Sequence, residues 1–307
     1  MGERMGSSRQ PEQKPARVGE AQKERLAFIE LHAYFCGEIR RADLEARFRI
    51  KPAAATRDFQ TYRLLAPKNL DYDTSAKNYV PSAAFEPLFE FESSRVLSWL
   101  IRGFGDGLQE RSGRPISSDS VLPLARPRLD TLALVTRAIH LGRPLSIRYW
   151  SVSSGESRRV IVPFALVDSG LRWHVRAFDR SRSRFSDFVL SRFSDAKALD
   201  GGLADHERSA SDHQWNRMVD LILVPHPGLK HPVAVKTDYQ MDGKAIRHSV
   251  RAAIAGYVLH RWQIDCSANH SLDPTAHHLW LENTQTLYGV ESAVMAPGYE
   301  FQGDVDK

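Results

Sequence analysis

The sequence predicts a multidomain α+β chain: a helical head with a hairpin, a helical connector, a compact antiparallel β unit and a small C-terminal α/β sandwich. Three observations predict it. Apolar residues recur at helical spacing in short segments between residues 22 and 63. From Leu145 to Phe193 they alternate in short runs separated by turn chemistry, Ser153-Ser154-Gly155 and Asp168-Ser169-Gly170. Charge is divided along the chain: residues 143–197 hold 11 Lys+Arg against 5 Asp+Glu, and residues 212–307 hold 8 against 11.

Residues 1–21 are polar and lack the apolar core of a signal peptide, so they are expected to form a disordered tail. A helix is expected from Gln22 to Tyr34, with Leu26, Ile29 and Ala33 on its buried face and Gly37 ending it. A second covers Arg41 to Phe48. Pro52 then suits the first position of a third helix, where its missing N–H has no partner to lose. Ala55, Phe59 and Tyr62 form the inner stripe of that helix, and Thr56, Arg57, Gln60, Thr61 and Arg63 face outward. Two short helices, a turn and a third helix make a helix-turn-helix. Small residues at Ala53 and Ala54 let a backbone approach a DNA groove. From Arg47 to Arg63 there are five Arg/Lys and one acid, Asp58. Residues 70–80 read as a hairpin with a basic tip at Lys77, in the position of a wing. Residues 22–82 are thus expected to bind duplex DNA. Thr56, Arg57, Gln60 and Thr61 are the expected groove contacts, with Lys51, Arg63 and Lys77 on phosphates.

Residues 83–142 read as a helical connector: a helix from Phe85 to Leu108, a stop at Gly103-Phe104-Gly105-Asp106-Gly107, a loop over 111–128 and a helix from Leu129 to Leu141. The glycine cluster lacks the Lys-Ser/Thr continuation of a phosphate loop. Within the β unit, residues 143–200, one strand alternates Leu171, Trp173, Val175 and Ala177 with Arg172, His174, Arg176 and Phe178. One face packs a core. The other is either a solvated basic surface or a receptor for an anionic ligand. Gly201-Gly202 marks a linker. In the module over 212–307, strands are expected at Val219–Leu223, from Val233 and at His278–Glu282. An amphipathic helix is expected from Lys244 to His260, with Ile246, Val250, Ile254 and Val258 at i, i+4.

The whole chain has a net charge of +5, which suggests an acidic partner such as nucleic acid. Two distant cysteines, Cys36 and Cys266, fit a reducing cytoplasm rather than a disulfide framework. No run approaches a membrane span, and no cofactor is implied. The carboxylates are too scattered for a metal-dependent nuclease. His226, His231, His270, His277 and His278 lack zinc-ligand spacing and read as loop histidines. No Gly-x-Ser-x-Gly elbow is present, and Cys36 reads as packing. The chain is therefore not expected to be an enzyme, to hold a metal or to have catalytic residues.

The segments AAATRDFQTY, NLDYDTSAKNYVPSAAFEPLF, IRYWSVSSGESRRVIVPFALVDSGLRWHVRAFDRSRSRFSDFVLSR and VDLILVPHPGL together resemble the WYL-domain transcriptional regulators. More narrowly they resemble the BrxR and CapW group, repressors that sit with bacterial anti-phage defence systems. The resemblance spans roughly residues 22 to 300. It implies a winged helix-turn-helix, a WYL domain with an Sm-like or SH3-like small β-barrel, and a C-terminal α/β dimerisation domain often called WCX. The naming triplet departs from Trp-Tyr-Leu and reads Trp173-His174-Val175. His174 keeps a ring and adds titration near neutral pH. The pocket positions implied by the resemblance are Tyr149, Ser151, Ser153, Arg159, Trp173, His174, Arg176 and Arg192. The ligand implied is single-stranded DNA or another nucleotide-derived anion. The expected protein is a homodimeric repressor on an inverted-repeat operator, released when the WYL domain binds its ligand, and controlling a phage-defence operon. A ligand-dependent activator and a nucleic-acid-processing accessory protein are the alternatives.

Overall fold

The structure, a computed structural model, describes residues 19–102 and 124–300. The expected tail up to residue 18, the glycine cluster from Gly103 to Gly107 and the loop as far as Pro123 lie outside the described residues. The chain divides into two compact units, one ending at Glu110 and the other beginning at Arg111.

In the first unit, α1 (Glu20–Cys36) starts two residues before the expected helix. It buries Leu26, Ile29, Leu31, Ala33 and Phe35. Gly37, at φ 86°, closes it in the left-handed conformation that glycine adopts without strain. α2 (Arg41–Phe48) ends at Arg49, also left-handed at φ 51°. The chain turns there and enters α3 (Pro52–Leu65) with Pro52 in the first turn, as the sequence predicts. Strands β1 (Leu70–Asp73) and β2 (Asn78–Pro81) form an antiparallel hairpin, with Leu70 opposite Pro81 and Asp73 opposite Asn78.

The next helix departs from expectation. It begins at Ser93, not Phe85: α4 is Ser93–Arg102. Pro87 has no N–H to give a helix, and other bonds hold the preceding segment. Glu30 on α1, fully buried, accepts the backbone N–H groups of Leu88 at 2.9 Å and Phe89 at 2.8 Å. It also accepts the Tyr62 hydroxyl at 2.5 Å. Asn69 donates to that hydroxyl at 3.1 Å and to the Glu86 carbonyl at 2.7 Å, and accepts the Glu86 N–H at 3.1 Å. Burial raises the Glu30 carboxyl above its usual range, against the lowering effect of these donors.

The second unit starts with α5 (Leu129–Leu141). Strands β3 (Leu145–Ser151), β4 (Gly155–Asp168), β5 (Trp173–Asp179), β6 (Arg184–Val189) and β7 (Phe193–Ala198) form one antiparallel sheet in the order β6-β5-β4-β3-β7. A single 3-10 turn, Leu190–Arg192, joins β6 to β7. After the linker, Asp212 caps α6 (His213–Asn216) by accepting the Trp215 N–H.

The rest of the chain is β8 (Met218–Pro225), α7 (Pro232–Asp238), β9 (Ile246–Arg251), α8 (Ala252–Arg261), β10 (Ile264–Asp265) and β11 (Leu279–Leu281). The sheet order is β10-β11-β8-β9. Val219, Leu221, Val250, Leu259, Ile264, Leu281 and their neighbours fill its core. Two expectations are corrected. Residues 233–235 belong to a helix, because Pro232 occupies its first turn. The single helix expected from Lys244 to His260 is a strand followed by a helix, since Ile246 and Val250 also fit a two-residue alternation. α8 packs closely on the 3-10 turn Glu291–Met295. A Cβ on Gly256 would lie 1.7 Å from the Ser292 carbonyl oxygen, so only glycine fits there.

Candidate functional site

Two sites emerge, one in each unit. On α3, Ala55, Asp58, Phe59 and Tyr62 face inward. Asp58, the one acid of the helix, is only 2% exposed. It accepts Arg25 Nε at 2.6 Å and Gln22 Nε2 at 3.0 Å from α1. Turning this carboxylate inward leaves cations on the outer side. Lys51, Arg57, Arg63 and Lys77 are exposed and have no carboxylate partner among the described residues. Gln60 is exposed beside them.

The two threonines sit at the flanks. Thr56 donates to the Pro52 carbonyl at 3.0 Å and accepts Arg41 Nη1 at 3.4 Å. Thr61 donates to the Arg57 carbonyl at 2.9 Å and accepts from Gln22 at 3.5 Å. Sequence reasoning did not single out Arg41 or Leu64, which is 82% exposed and lies in line with Ala53, Arg57 and Gln60.

The hairpin is locked to this helix. Tyr79 stacks on Phe59 at 4.4 Å and exchanges backbone hydrogen bonds with Ile39, and Asn78 donates to Glu38 at 2.6 Å. The expected basic tip is tempered. Asp73 accepts the N–H groups of Ser75 and Ala76, so the tip carries this acid as well as Lys77, which is held left-handed at φ 54°.

In the second unit, the β5 face expected to present His174, Arg176 and Phe178 is covered. His174 is 6% and Arg176 3% exposed, because α6 and α8 lie over them. Arg176 donates Nε and Nη2 to Asp212 at 2.8 and 3.1 Å, and its Nη1 lies 3.3 Å from Asp187. Burial raises the Asp187 carboxyl, opposed by Arg176. Arg159 likewise bonds Asp179, at 2.7 Å, and Ser157, at 3.1 Å. Both arginines therefore have internal counter-ions. Burial first, then the charges of Arg172 and Arg192, push His174 down to about 4. It is neutral near pH 7, which corrects the expectation of titration there.

Two adjoining clefts open between this sheet and the helix α8 with its neighbouring 3-10 turn. The first, of about 340 Å³, brings together Tyr149, Ser151, Ser153, Arg159 and Arg176 of the eight expected residues. The second, of about 300 Å³, contains His174, Arg192 and again Tyr149. Trp173 lines neither. The Tyr149 ring is packed edge-on against Phe188 and Phe193, and its hydroxyl accepts the Val189 N–H at 3.2 Å, so it serves the core. Ser151 and Ser153 hydroxyls lie 3.1 Å apart. The cations without carboxylate partners among the described residues are Arg182 and Arg184 in the first cleft and Arg172 and Arg192 in the second. Sequence reasoning missed Arg182 and Arg184 as cleft residues; it put Arg172 on the polar face of the strand but not among the pocket positions. The alternation Ser181-Arg182-Ser183-Arg184 at a hairpin, with Ser183 left-handed at φ 50°, was the available signal for Arg182 and Arg184.

Family models match three parts of the chain: the BrxR transcriptional regulator winged helix-turn-helix domain at residues 21–102, the WYL domain at 130–198, and the BrxR transcriptional regulator C-terminal dimerization domain at 218–287. The chain is 32% identical over 282 residues to the DNA-binding transcriptional repressor CapW of Escherichia coli (strain KTE188), covering 88% of this chain and 91% of that protein. This chain belongs to the BrxR/CapW family of transcriptional regulators. The CapW of Pseudomonas aeruginosa is 32% identical over 249 residues, covering 78% of this chain and 81% of its own. That of Stenotrophomonas maltophilia is 32% identical over 286 residues, covering 89% and 93%. The role for which these relatives are named is not enzymatic. Among the described residues, no helix is long and apolar enough to cross a membrane. In this BrxR/CapW chain the paired clefts thus lie between the WYL domain and the C-terminal dimerisation domain.

Proposed function

We propose that this protein is a ligand-responsive homodimeric repressor that binds an inverted-repeat operator through α3. The observation that carries the reading is the sorting of charge on that helix. Asp58 is turned inward onto Arg25, while Arg57, Gln60 and Arg63 stay exposed. Arg57 and Gln60 are the base-edge contacts, flanked by Thr56 and Thr61, with Lys51, Arg63 and Lys77 on phosphates. A two-fold dimer requires two matched half-sites. The ligand is nucleic-acid-derived, such as single-stranded DNA, and the unpaired rim arginines support an anionic partner. One wall of each cleft comes from the WYL sheet and the other from the dimerisation module. A ligand that binds one arrangement of these walls more tightly shifts the dimer toward it and weakens operator binding. Control of a phage-defence operon follows from the group the sequence resembles.

The test is footprinting of the DNA upstream of the gene, with and without short single-stranded DNA. A two-fold symmetric footprint that is lost on adding the single strand is expected. A footprint of one half-site, or one indifferent to the single strand, would overturn the dimer or the ligand respectively.

A further inference from the structure

Asp187 stands on the wall that the two clefts share. Its Oδ2 accepts the Tyr257 hydroxyl at 3.2 Å. Its Oδ1 is buried without a hydrogen bond, although Arg176 Nη1 lies 3.3 Å away. Asp212 holds two of the guanidinium nitrogens and so fixes its orientation, leaving Nη1 beside Asp187 Oδ1 as an ion pair without a well-aligned hydrogen bond. Two carboxylates share one guanidinium. In the second cleft, Nδ1 of the 6% exposed His174 is also buried and unpartnered. A buried polar atom that has given up its water is rarely left without a hydrogen bond.

The rims have the opposite character, with Arg182 and Arg184 on one side and Arg172 and Arg192 on the other. A bare phosphate would satisfy these arginines and be repelled by Asp187. A ligand satisfies rim and wall together only if it carries an N–H donor close to its phosphate. We propose that the clefts bind a nucleotide unit of a single strand whose base carries an amino group, with Asp187 accepting the amino N–H and the rim arginines holding phosphate. The inference rests on the nucleic-acid ligand given above and adds a base preference to it.

Cytosine and thymine separate the two chemistries. The rings are the same size, but cytosine presents an amino donor where thymine presents a carbonyl acceptor. Full-length protein, kept free of duplex because bound operator would weaken the ligand by the same linkage, is titrated with labelled oligo-dC and oligo-dT of equal length and followed by fluorescence anisotropy. Wild type is expected to prefer oligo-dC by about tenfold, the discrimination of one well-placed hydrogen-bonding site. Asp187→Asn keeps the shape but adds an amide donor, and the preference should fall to parity or reverse. Equal wild-type affinity for the two strands overturns the assignment of Asp187 and leaves the nucleic-acid ligand standing. Binding of neither strand overturns both. A preference for oligo-dC that persists unchanged in Asp187→Asn places the reading group elsewhere and also overturns the assignment. If that variant fails to fold, the wild-type comparison decides by itself.

Discussion

At Arg176 a guanidinium has been taken out of water and given two carboxylates, Asp187 opposite it on β6 and Asp212 from beyond the linker. Its neighbour His174 has lost solvent and faces the charges of Arg172 and Arg192, which Asp168 only partly offsets, and so is held neutral. The sign of the linkage follows. The folded imidazole binds a proton only near pH 4, whereas the unfolded one does so near its ordinary value. Stability that is full above the unfolded value is lost as pH falls from about 6.5 towards 4. The effect is on the order of 3 kcal/mol. His174→Gln, which cannot titrate, should flatten the pH dependence of the denaturation midpoint in that window. An unchanged slope would show that other groups dominate the acid response. None of this environment was legible in the sequence. The alternation of Arg172, His174 and Arg176 was plain, but a period of two says only that a second face exists. What covers that face, Asp212 and Tyr257, lies 36 or more residues further along the chain.

At the scale of elements, local signals succeeded wherever one residue enforced a boundary. Pro52 started α3 and Gly37 closed α1 for reasons internal to a few residues. The same proline signal at Pro232 was available and was overridden by the β-branched residues after it. Ile246 and Val250 satisfied two periodicities, and the strand pairing of β9 with β8 decided between them. Pro87 argued against a helix from Phe85, and side chains on α1 and α3 supplied what the sequence could not show. The recognition helix gives the element-scale prediction. Arg57→Ala combined with Gln60→Ala should weaken operator binding by about tenfold or more and relax base preference, as loss of base-edge contacts does. Lys77→Ala should weaken all sequences alike and reduce the salt dependence. A gel shift across salt concentrations distinguishes the two. An intact affinity in the double variant would move the reading surface to another element.

For the whole molecule, charge is partitioned in keeping with the proposed division of labour. The basic excess lies upstream, and the dimerisation module from residue 212 holds 11 acids against 8 bases. A symmetric dimer is expected in sedimentation velocity at concentrations that fill the operator. A monomer under those conditions would remove the reason for paired half-sites. The clefts join two domains that sequence patterns separate, which is why only the sheet side of the site was visible beforehand. Sequence showed the arginines. Folding decided which were already neutralised, Arg159 and Arg176, and which stayed available, Arg172, Arg182, Arg184 and Arg192.

The buried Glu30 has a consequence for motion in the DNA-binding head. It holds the amides of Leu88 and Phe89, which belong to no helix or strand, and the Tyr62 hydroxyl of the recognition helix. Those two amides lose this hydrogen-bond partner only when the contact with α1 opens. They should therefore exchange with deuterium as slowly as amides of the helical core, as one cooperative unit. The irregular segment after the wing then behaves as a rigid strut, and fast exchange at Leu88 and Phe89 would show that it frays on its own.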